Sequence, residues 1–113
     1  MSVRLPSHLW ILGIIRGENA AGRPVFVLRK GDPMSGGLLI KINRLDGRFS
    51  VFIQQRDLVG RLGWMGALEG AEVSEDDADA YIDRATSRDP DLWVVEVESR
   101  DAANPFTQAS EYL

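Results

Sequence analysis

The sequence predicts an α+β domain, built as a two-layer sandwich in which two helices cover the apolar face of a mainly antiparallel sheet of about five strands. Residues Val25 to Gln55 alternate between apolar and polar side chains, which is the period of a β-strand. The segment Pro6 to Gly22 begins with helix-start residues and is apolar on nearly every side, and Ser74 to Asp89 has apolar residues at helical spacing. A last alternating segment, Leu92 to Glu98, adds a strand.

Length and composition indicate one domain that spans residues 1–113. With 44% hydrophobic and 27% charged residues, the chain is long enough to bury a single core. It contains no cysteine, which excludes disulfides, thiolate zinc sites and cysteine nucleophiles. The net charge of −4 argues against binding of nucleic acid or anionic membranes through overall electrostatics. We therefore expect a cytoplasmic protein with no membrane association.

The first helix is predicted to begin at Pro6 or Ser7 and to end near Gly22 and Pro24. Its apolar stretch, Leu9 to Ile15, is too short to span a bilayer. A signal-peptide core is the alternative interpretation, but charged residues separate this stretch from the small residues that follow it. A buried helix is the preferred interpretation.

The region Val25 to Gln55 is predicted to form a three-stranded antiparallel meander. Turn-forming residues interrupt the alternation at Gly31 to Gly37 and again at Asp46 and Gly47. An Asp-Gly pair is typical of a two-residue type I′ turn, because both central positions need positive φ. Such a turn fixes the register of the second hairpin, and pairing of the first two strands across the longer loop gives the same division of side chains.

The predicted register separates the side chains of the meander into two faces. One face is apolar and belongs to the core: Phe26, Leu28, Leu38, Ile40, Ile42, Phe49, Val51 and Ile53. The other face is mixed: Val25, Val27, Arg29, Leu39, Lys41, Asn43, Ser50, Phe52 and Gln54. In this register Lys41 lies opposite Phe52, and Ile42 lies opposite Val51. A slip of one residue would mix the two sets, so the agreement of the two hairpins supports the register.

A further strand, a second helix and a tail complete the predicted organisation. The segment from Leu62 to Leu68 is a short fourth strand, although its glycines weaken the pattern. Ser74 followed by Asp77 resembles a capping box at the start of the second helix. The tail after about residue 101 has Phe106 and Tyr112 as anchors, and we expect it to be partly loose.

Few residues suggest chemistry, and no metal, cofactor or catalytic residue is expected. His8 is the single histidine, and its place near a helix start is more typical of a surface or capping residue than of a catalytic group. The second helix places Asp76, Asp79 and Asp83 on one face, but no glycine-bearing calcium loop accompanies them. The glycine-rich loop after Lys30 lacks the spacing of a phosphate-binding loop.

The mixed face of the predicted sheet is the candidate ligand-binding site. Its residues are Arg29, Lys41, Asn43, Phe52 and Gln54. They would form a surface of hydrogen-bond donors around an aromatic platform, which can bind a phosphate, a carboxylate or a single-stranded nucleic acid. The alternative is an ordinary solvated face, on which Glu96 and Glu98 of the last strand balance the positive charges.

Three segments are specific in combination: VLRKGDP from Val27 to Pro33, KINRLDG from Lys41 to Gly47, and DPDLWVVEVE from Asp89 to Glu98. With them the sequence resembles, over nearly its whole length, a family of short and mostly alphaproteobacterial proteins called domain of unknown function 1491. The resemblance implies a stand-alone cytoplasmic domain and carries over no catalytic residue. The segment Gly13 to Gly22 is less basic than in relatives, which argues against a role for positive charge on the first helix.

The sequence favours a small binding or accessory module over an enzyme, because one histidine and no cysteine cannot supply a nucleophile, a base and an orienting group. The expected partner is an unidentified protein or an anionic small molecule, bound through the mixed face. Two alternatives stay open: a small enzyme that uses carboxylate and lysine chemistry, and a single-stranded nucleic-acid binder. A homodimer is a further hypothesis, because an open sheet face would expose apolar residues. These residues are Val25, Val27, Leu39 and Phe52.

Overall fold

The computed structural model describes residues 6–56, 58–59, 62–101 and 103–106. In chain order the elements are α1 (Ser7–Ala20), β1 (Val25–Arg29), β2 (Leu38–Asn43), β3 (Phe49–Arg56), β4 (Leu62–Gly66), a 3₁₀ turn (Leu68–Gly70), α2 (Glu75–Arg88) and β5 (Trp93–Glu98). The predicted α+β class and the order of its helices and strands are confirmed. Ser74 caps α2 as predicted, since the backbone N–H of Asp77 donates to Ser74 Oγ at 3.2 Å.

The sheet is mixed and open, with the strand order β1-β5-β2-β3-β4. β5 lies between β1 and β2, antiparallel to β1 and parallel to β2. The predicted meander from Val25 to Gln55 is therefore wrong in its first half, because β1 and β2 are not neighbours. Trp93, Val94 and Val95 of β5 are at most 3% exposed. A strand that is apolar on both sides is most stable in the middle of a sheet, where both faces are covered.

The loop from Gly31 to Gly37 packs against the start of β5 instead of joining two paired strands. The backbone N–H of Asp32 donates to Asp91 O at 3.0 Å, and Trp93 Nε1 donates to Asp32 O at 2.8 Å. A Cβ atom at Gly31 would overlap with Asp91 O, so this approach requires glycine. The first and the last of the three family-like segments thus meet in the structure and hold β5 in place.

The hairpin between β2 and β3 has a three-residue turn, Leu45 to Gly47, where the sequence predicts two residues. The backbone N–H of Arg44 donates to Arg48 O at 3.1 Å and closes this turn. The additional turn residue shifts the register by one, so that Lys41 lies opposite Val51 and not opposite a phenylalanine.

The shift moves the side chains of β3 to the opposite face from the one predicted. One face carries Leu39, Lys41, Asn43, Phe49, Val51 and Ile53; the other carries Leu38, Ile40, Ile42, Ser50, Phe52 and Gln54. The predicted division into one apolar and one mixed face is therefore wrong. Both faces of the sheet are mostly apolar, and both have to be covered.

Each face of the sheet packs against one helix. Trp10 and Ile11 of α1 pack in one core cluster with Ile40. Ile82 of α2 packs in a second cluster with Leu39. The prediction that both helices lie on the same face is wrong, because alternate residues of β2 and β5 are apolar on both sides of the sheet.

The apolar residues that suggested a homodimer are covered within the chain. Val25 is 3% exposed and Leu39 is fully buried. Val27 and Phe52 are partly buried against the core cluster beneath α1. A dimer therefore cannot be argued from these residues.

Phe106 anchors the described part of the tail. It is fully buried and meets the ring of Trp10 edge to face, with 6.3 Å between ring centroids. Tyr112, the other predicted anchor, lies outside the described residues. Within the described ranges, no helix has the length and apolar character that a membrane span requires.

Candidate functional site

Lys41, one of the five predicted binding residues, is buried beneath α2. Its Nζ donates to Glu75 Oε2 and Asp79 Oδ1, both at 2.8 Å, and lies 3.5 Å from Glu96 Oε1. The ring centroid of Phe49 is 5.0 Å from the same nitrogen. Burial disfavours the ammonium, but hydrogen bonds to Asp79 and Glu75 outweigh burial and raise the pKa of Lys41. Lys41 therefore links α2 to the sheet as a charged structural group.

Three other predicted residues are divided between the two faces of the sheet. Asn43 is on the α2 side of the sheet, and its Oδ1 accepts a hydrogen bond from the N–H of Leu45 at 2.9 Å, within the turn after β2. Phe52 and Gln54 are on the α1 side, and Phe52 is partly buried there. The structure thus places the predicted aromatic platform on the opposite side of the sheet from Lys41. The five predicted residues do not form one surface.

Arg29 lies at the end of β1, directly after a bulge in the strand. Val27 pairs with Val95, but Arg29 pairs with Val94, so that Leu28 is an extra residue between the two pairs. As a result, Leu28 and Arg29 both line a groove between β1 and α2. Bulges at a sheet edge commonly redirect side chains toward a site in this way.

We call this feature the β1–α2 groove. It has a volume of about 420 Å³. Its apolar lining consists of Leu28, Ile82 and Val94. Its polar lining consists of Arg29 from β1 and Asp79, Asp83 and Thr86 from α2. This volume lies in the range of small-molecule sites, although the lining is more polar than is usual for them.

Arg29 is the cation of the groove, and none of the described carboxylates forms an ion pair with it. Its Nη2 donates to Pro90 O at 3.2 Å, which is a neutral partner. Lys41, in contrast, is surrounded by carboxylates. Asp79 gives one oxygen to Lys41 while its side chain stays 53% exposed, and Asp83 is exposed. The groove therefore combines an available guanidinium with two solvent-accessible carboxylates.

The sequence places Asp79 and Asp83 on one face of the second helix but does not predict their position in the groove. The available signal is their spacing, because residues at i, i+3 and i+4 share a helix face and Ile82 lies on that face with them. The other wall could not be found, since the pairing of β1 with β5 joins distant parts of the chain. In the described ranges, no group of three or more acidic or histidine residues is arranged to hold a metal ion.

By its fold, the chain is a small α+β domain with a mixed five-stranded sheet between two helices. The family model described as "Protein of unknown function (DUF1491)" matches residues 5–107, and the chain belongs to this family. The resemblance noted in the sequence is thereby confirmed.

Several solved structures are similar to this chain. A crystal structure of a DUF1491 family protein from Caulobacter crescentus CB15 has 36% identity and a TM-score of 0.74, covering 85% of this chain and 89% of that chain. An NMR structure of a DUF1491 family protein from the same organism has 34% identity and a TM-score of 0.79, covering 92% and 94%. The solution structure of protein Atu0922 from A. tumefaciens has 26% identity and a TM-score of 0.72, covering 93% and 92%. No curated protein matches the chain.

Proposed function

We propose that the chain is a small binding or accessory module that holds its ligand in the β1–α2 groove, with an anionic group of the ligand on Arg29. The observation that carries this proposal concerns Arg29. Its guanidinium lines the groove, and its one hydrogen-bond partner among the described residues is the neutral Pro90 O. A guanidinium with free N–H donors binds a carboxylate or a phosphate through two parallel hydrogen bonds.

The lining of the groove narrows the class of ligand. A purely anionic molecule would be repelled by Asp79 and Asp83, which lie in the same groove as Arg29. A molecule with a negative group at one end and a positive or hydrogen-bond-donating group at the other fits both sets of charges. The apolar side chains of Leu28, Ile82 and Val94 favour a hydrocarbon portion between these ends. An amino acid with a basic side chain has this chemistry, and so has a short peptide segment, whether it is free or part of a partner protein.

The two alternative functions receive less support. Lysine chemistry requires a neutral amine, usually obtained by lowering the pKa, whereas the pKa of Lys41 is raised. Binding of single-stranded nucleic acid requires an exposed aromatic platform beside cations, and Phe52 lies on the other side of the sheet from Lys41.

Location, source and assembly are also proposals. Without cysteine the chain has no need of an oxidising compartment, and we propose the cytoplasm. Solved relatives from Caulobacter crescentus and A. tumefaciens support a bacterial source. A homodimer stays a proposal, and it needs a surface other than the covered residues that first suggested it.

A ligand panel with a matched pair of variants tests the groove. The probes are free amino acids, dipeptides, dicarboxylates and inorganic phosphate, and the readout is thermal unfolding followed by tryptophan fluorescence. A compound that binds only the folded state raises the midpoint temperature of unfolding. At 100 times its Kd, it increases the free energy of unfolding by about 2.7 kcal/mol. Arg29→Gln should abolish the shift, and Arg16→Gln, the same change on the exposed face of α1, should retain it.

The expected result is a shift with at least one amphoteric probe and no shift with phosphate alone. Equal shifts for the wild type and Arg29→Gln would contradict the proposal. So would the absence of a shift with every probe at millimolar concentration.

A further inference from the structure

β4 forms one edge of the sheet in the part of the chain that the structure describes. The backbone N–H of Ala67 donates to Val51 O at 2.8 Å, and hydrogen-bonded pairs alternate along an antiparallel ladder. Met65 and Gly63 are therefore the next residues of β4 that hydrogen-bond to β3. Trp64, opposite Gln54, lies between them, so its N–H and C=O groups point away from β3. Among the described residues, no strand pairs with the outer side of β4.

The opposite edge of the sheet, β1, is protected from further pairing. The N–H of Val25 donates to Asn19 Oδ1 at 3.0 Å, and Asn19 Nδ2 donates to Val25 O at 3.4 Å, so a side-chain amide occupies the place of another strand. The bulge between Val27 and Arg29 then distorts the rest of this edge. Bulges and covering groups are common protections of edge strands, as are charges and prolines.

Among the described residues, none of these protections is found at β4. Its sequence, LGWMG, contains no charged residue and no proline. Met65 is 46% exposed at this edge. Leu58 and Val59, in the turn that precedes β4, are 107% and 74% exposed. An uncharged edge flanked by exposed apolar side chains is a template for pairing with another chain.

The sequence of β4 is complementary to itself when two copies run antiparallel. With the two-fold axis at Trp64, Gly63 of each copy lies opposite the partner's Met65. A Cβ atom built on Gly63 would have Gln55 O as its nearest neighbour, at 4.0 Å, so the space above this glycine is open. Each exposed methionine thus meets a position without a side chain, and no like charges meet across the axis.

We infer that two copies of this chain associate through β4, forming one continuous ten-stranded sheet with its two-fold axis at Trp64. The contact is isologous, as in most homodimers, and it does not involve the β1–α2 groove. Two five-residue strands with their flanking turns form a small interface. We therefore expect a weak, transient dimer with a dissociation constant on the order of micromolar.

Mass measurement over a concentration series tests this inference. Light scattering of the full chain should give the monomer mass of 12.5 kDa when dilute and approach twice that mass when concentrated. Gly63→Glu should weaken association at least about tenfold. The new side chain fills the space that Met65 of the second copy would occupy, and it adds a charge to the edge. Gly17→Glu is the matched control, since a Cβ atom at Gly17 has nothing within 4 Å and the residue lies on α1.

A second variant and a second readout keep the test decisive. If Gly63→Glu fails to fold, Met65→Lys replaces it, with Met34→Lys as the control at another methionine, which is 62% exposed. Amide hydrogen exchange at Trp64 should slow with concentration in the wild type and stay fast in the edge variant. A monomer at about 1 mM would overturn the inference, because even weak specific dimers form there. A dimer that persists unchanged in the edge variants would overturn it as well.

Discussion

Replacing Lys41 by methionine removes the charge that links α2 to the sheet and keeps most of the buried aliphatic chain. The change deletes two hydrogen bonds of 2.8 Å and a contact of 3.5 Å made by Nζ. The carboxylates of Glu75, Asp79 and Glu96 then converge without a cation between them. We expect a lower free energy of unfolding, because these carboxylates repel one another and lose their shared partner.

Two limits set the size of the effect. Removing one partner of a fully buried ion pair costs about 3–5 kcal/mol, and removing one partner of an exposed pair costs about 0–1 kcal/mol. The side chain of Lys41 is 4% exposed, whereas those of Glu75 and Asp79 are 55% and 53% exposed and can be hydrated once the lysine is gone. The expected loss is therefore about 2 kcal/mol.

Urea unfolding followed by tryptophan fluorescence measures this loss. Arg29→Gln is the control, since it removes an exposed cation and should change stability by less than about 0.5 kcal/mol. Adding Asp79→Asn to Lys41→Met relieves part of the repulsion, so the double variant should lose less than the sum of the single losses. A Lys41→Met protein as stable as the wild type would refute the reasoning, because Lys41 would then behave as a solvated surface charge.

Three further outcomes follow from the contacts of the chain. The stabilisation from Lys41 is present below the ordinary lysine pKa of 10.5 and is lost as pH rises through the raised pKa of the folded state. In urea unfolding, the difference in unfolding free energy between the wild type and Lys41→Met should therefore shrink as the pH is raised above 10.5. Gly36→Ala places a Cβ atom against the backbone oxygen of Asp91 and should lower the unfolding free energy by more than about 2 kcal/mol. Gly17→Ala, in α1, meets no such contact and should raise the unfolding free energy by about 0.5–1 kcal/mol. Thermal unfolding of both variants measures the difference. Ser74→Ala removes the cap of α2 and should cost about 1 kcal/mol in the same assay.

Elements with local signals could be predicted from the sequence. The period of two in β3 and β5 and the cap at Ser74 are properties of neighbouring residues, and the structure contains these elements. The pairing of β5 with β1 and β2 has no local signal, because it joins residues about sixty positions apart. The best indication was composition: Trp93 to Val95 and Leu38 to Ile40 are continuous apolar runs, which suit strands buried on both faces.

The predicted site failed for a more limited reason. Asp46 and Gly47 tolerate the conformations of both two-residue and three-residue turns, so the pair could not fix the turn length. One additional turn residue placed Phe52 and Lys41 on opposite faces. Of the five predicted residues, Arg29 alone lines the β1–α2 groove, and it does so because of a bulge that the sequence does not indicate.

NMR titration of the labelled chain with the best amphoteric probe separates the roles of Arg29 and Lys41 most directly. If Arg29 binds the ligand and Lys41 only stabilises the fold, the amide signals of Leu28, Arg29 and Thr86 should shift and reach saturation as the probe is added. Those shifts should vanish in Arg29→Gln, with the remaining spectrum of the folded protein preserved. Saturable shifts confined to residues outside the groove, or unchanged groove shifts in Arg29→Gln, would contradict the assignment of the groove as the ligand site.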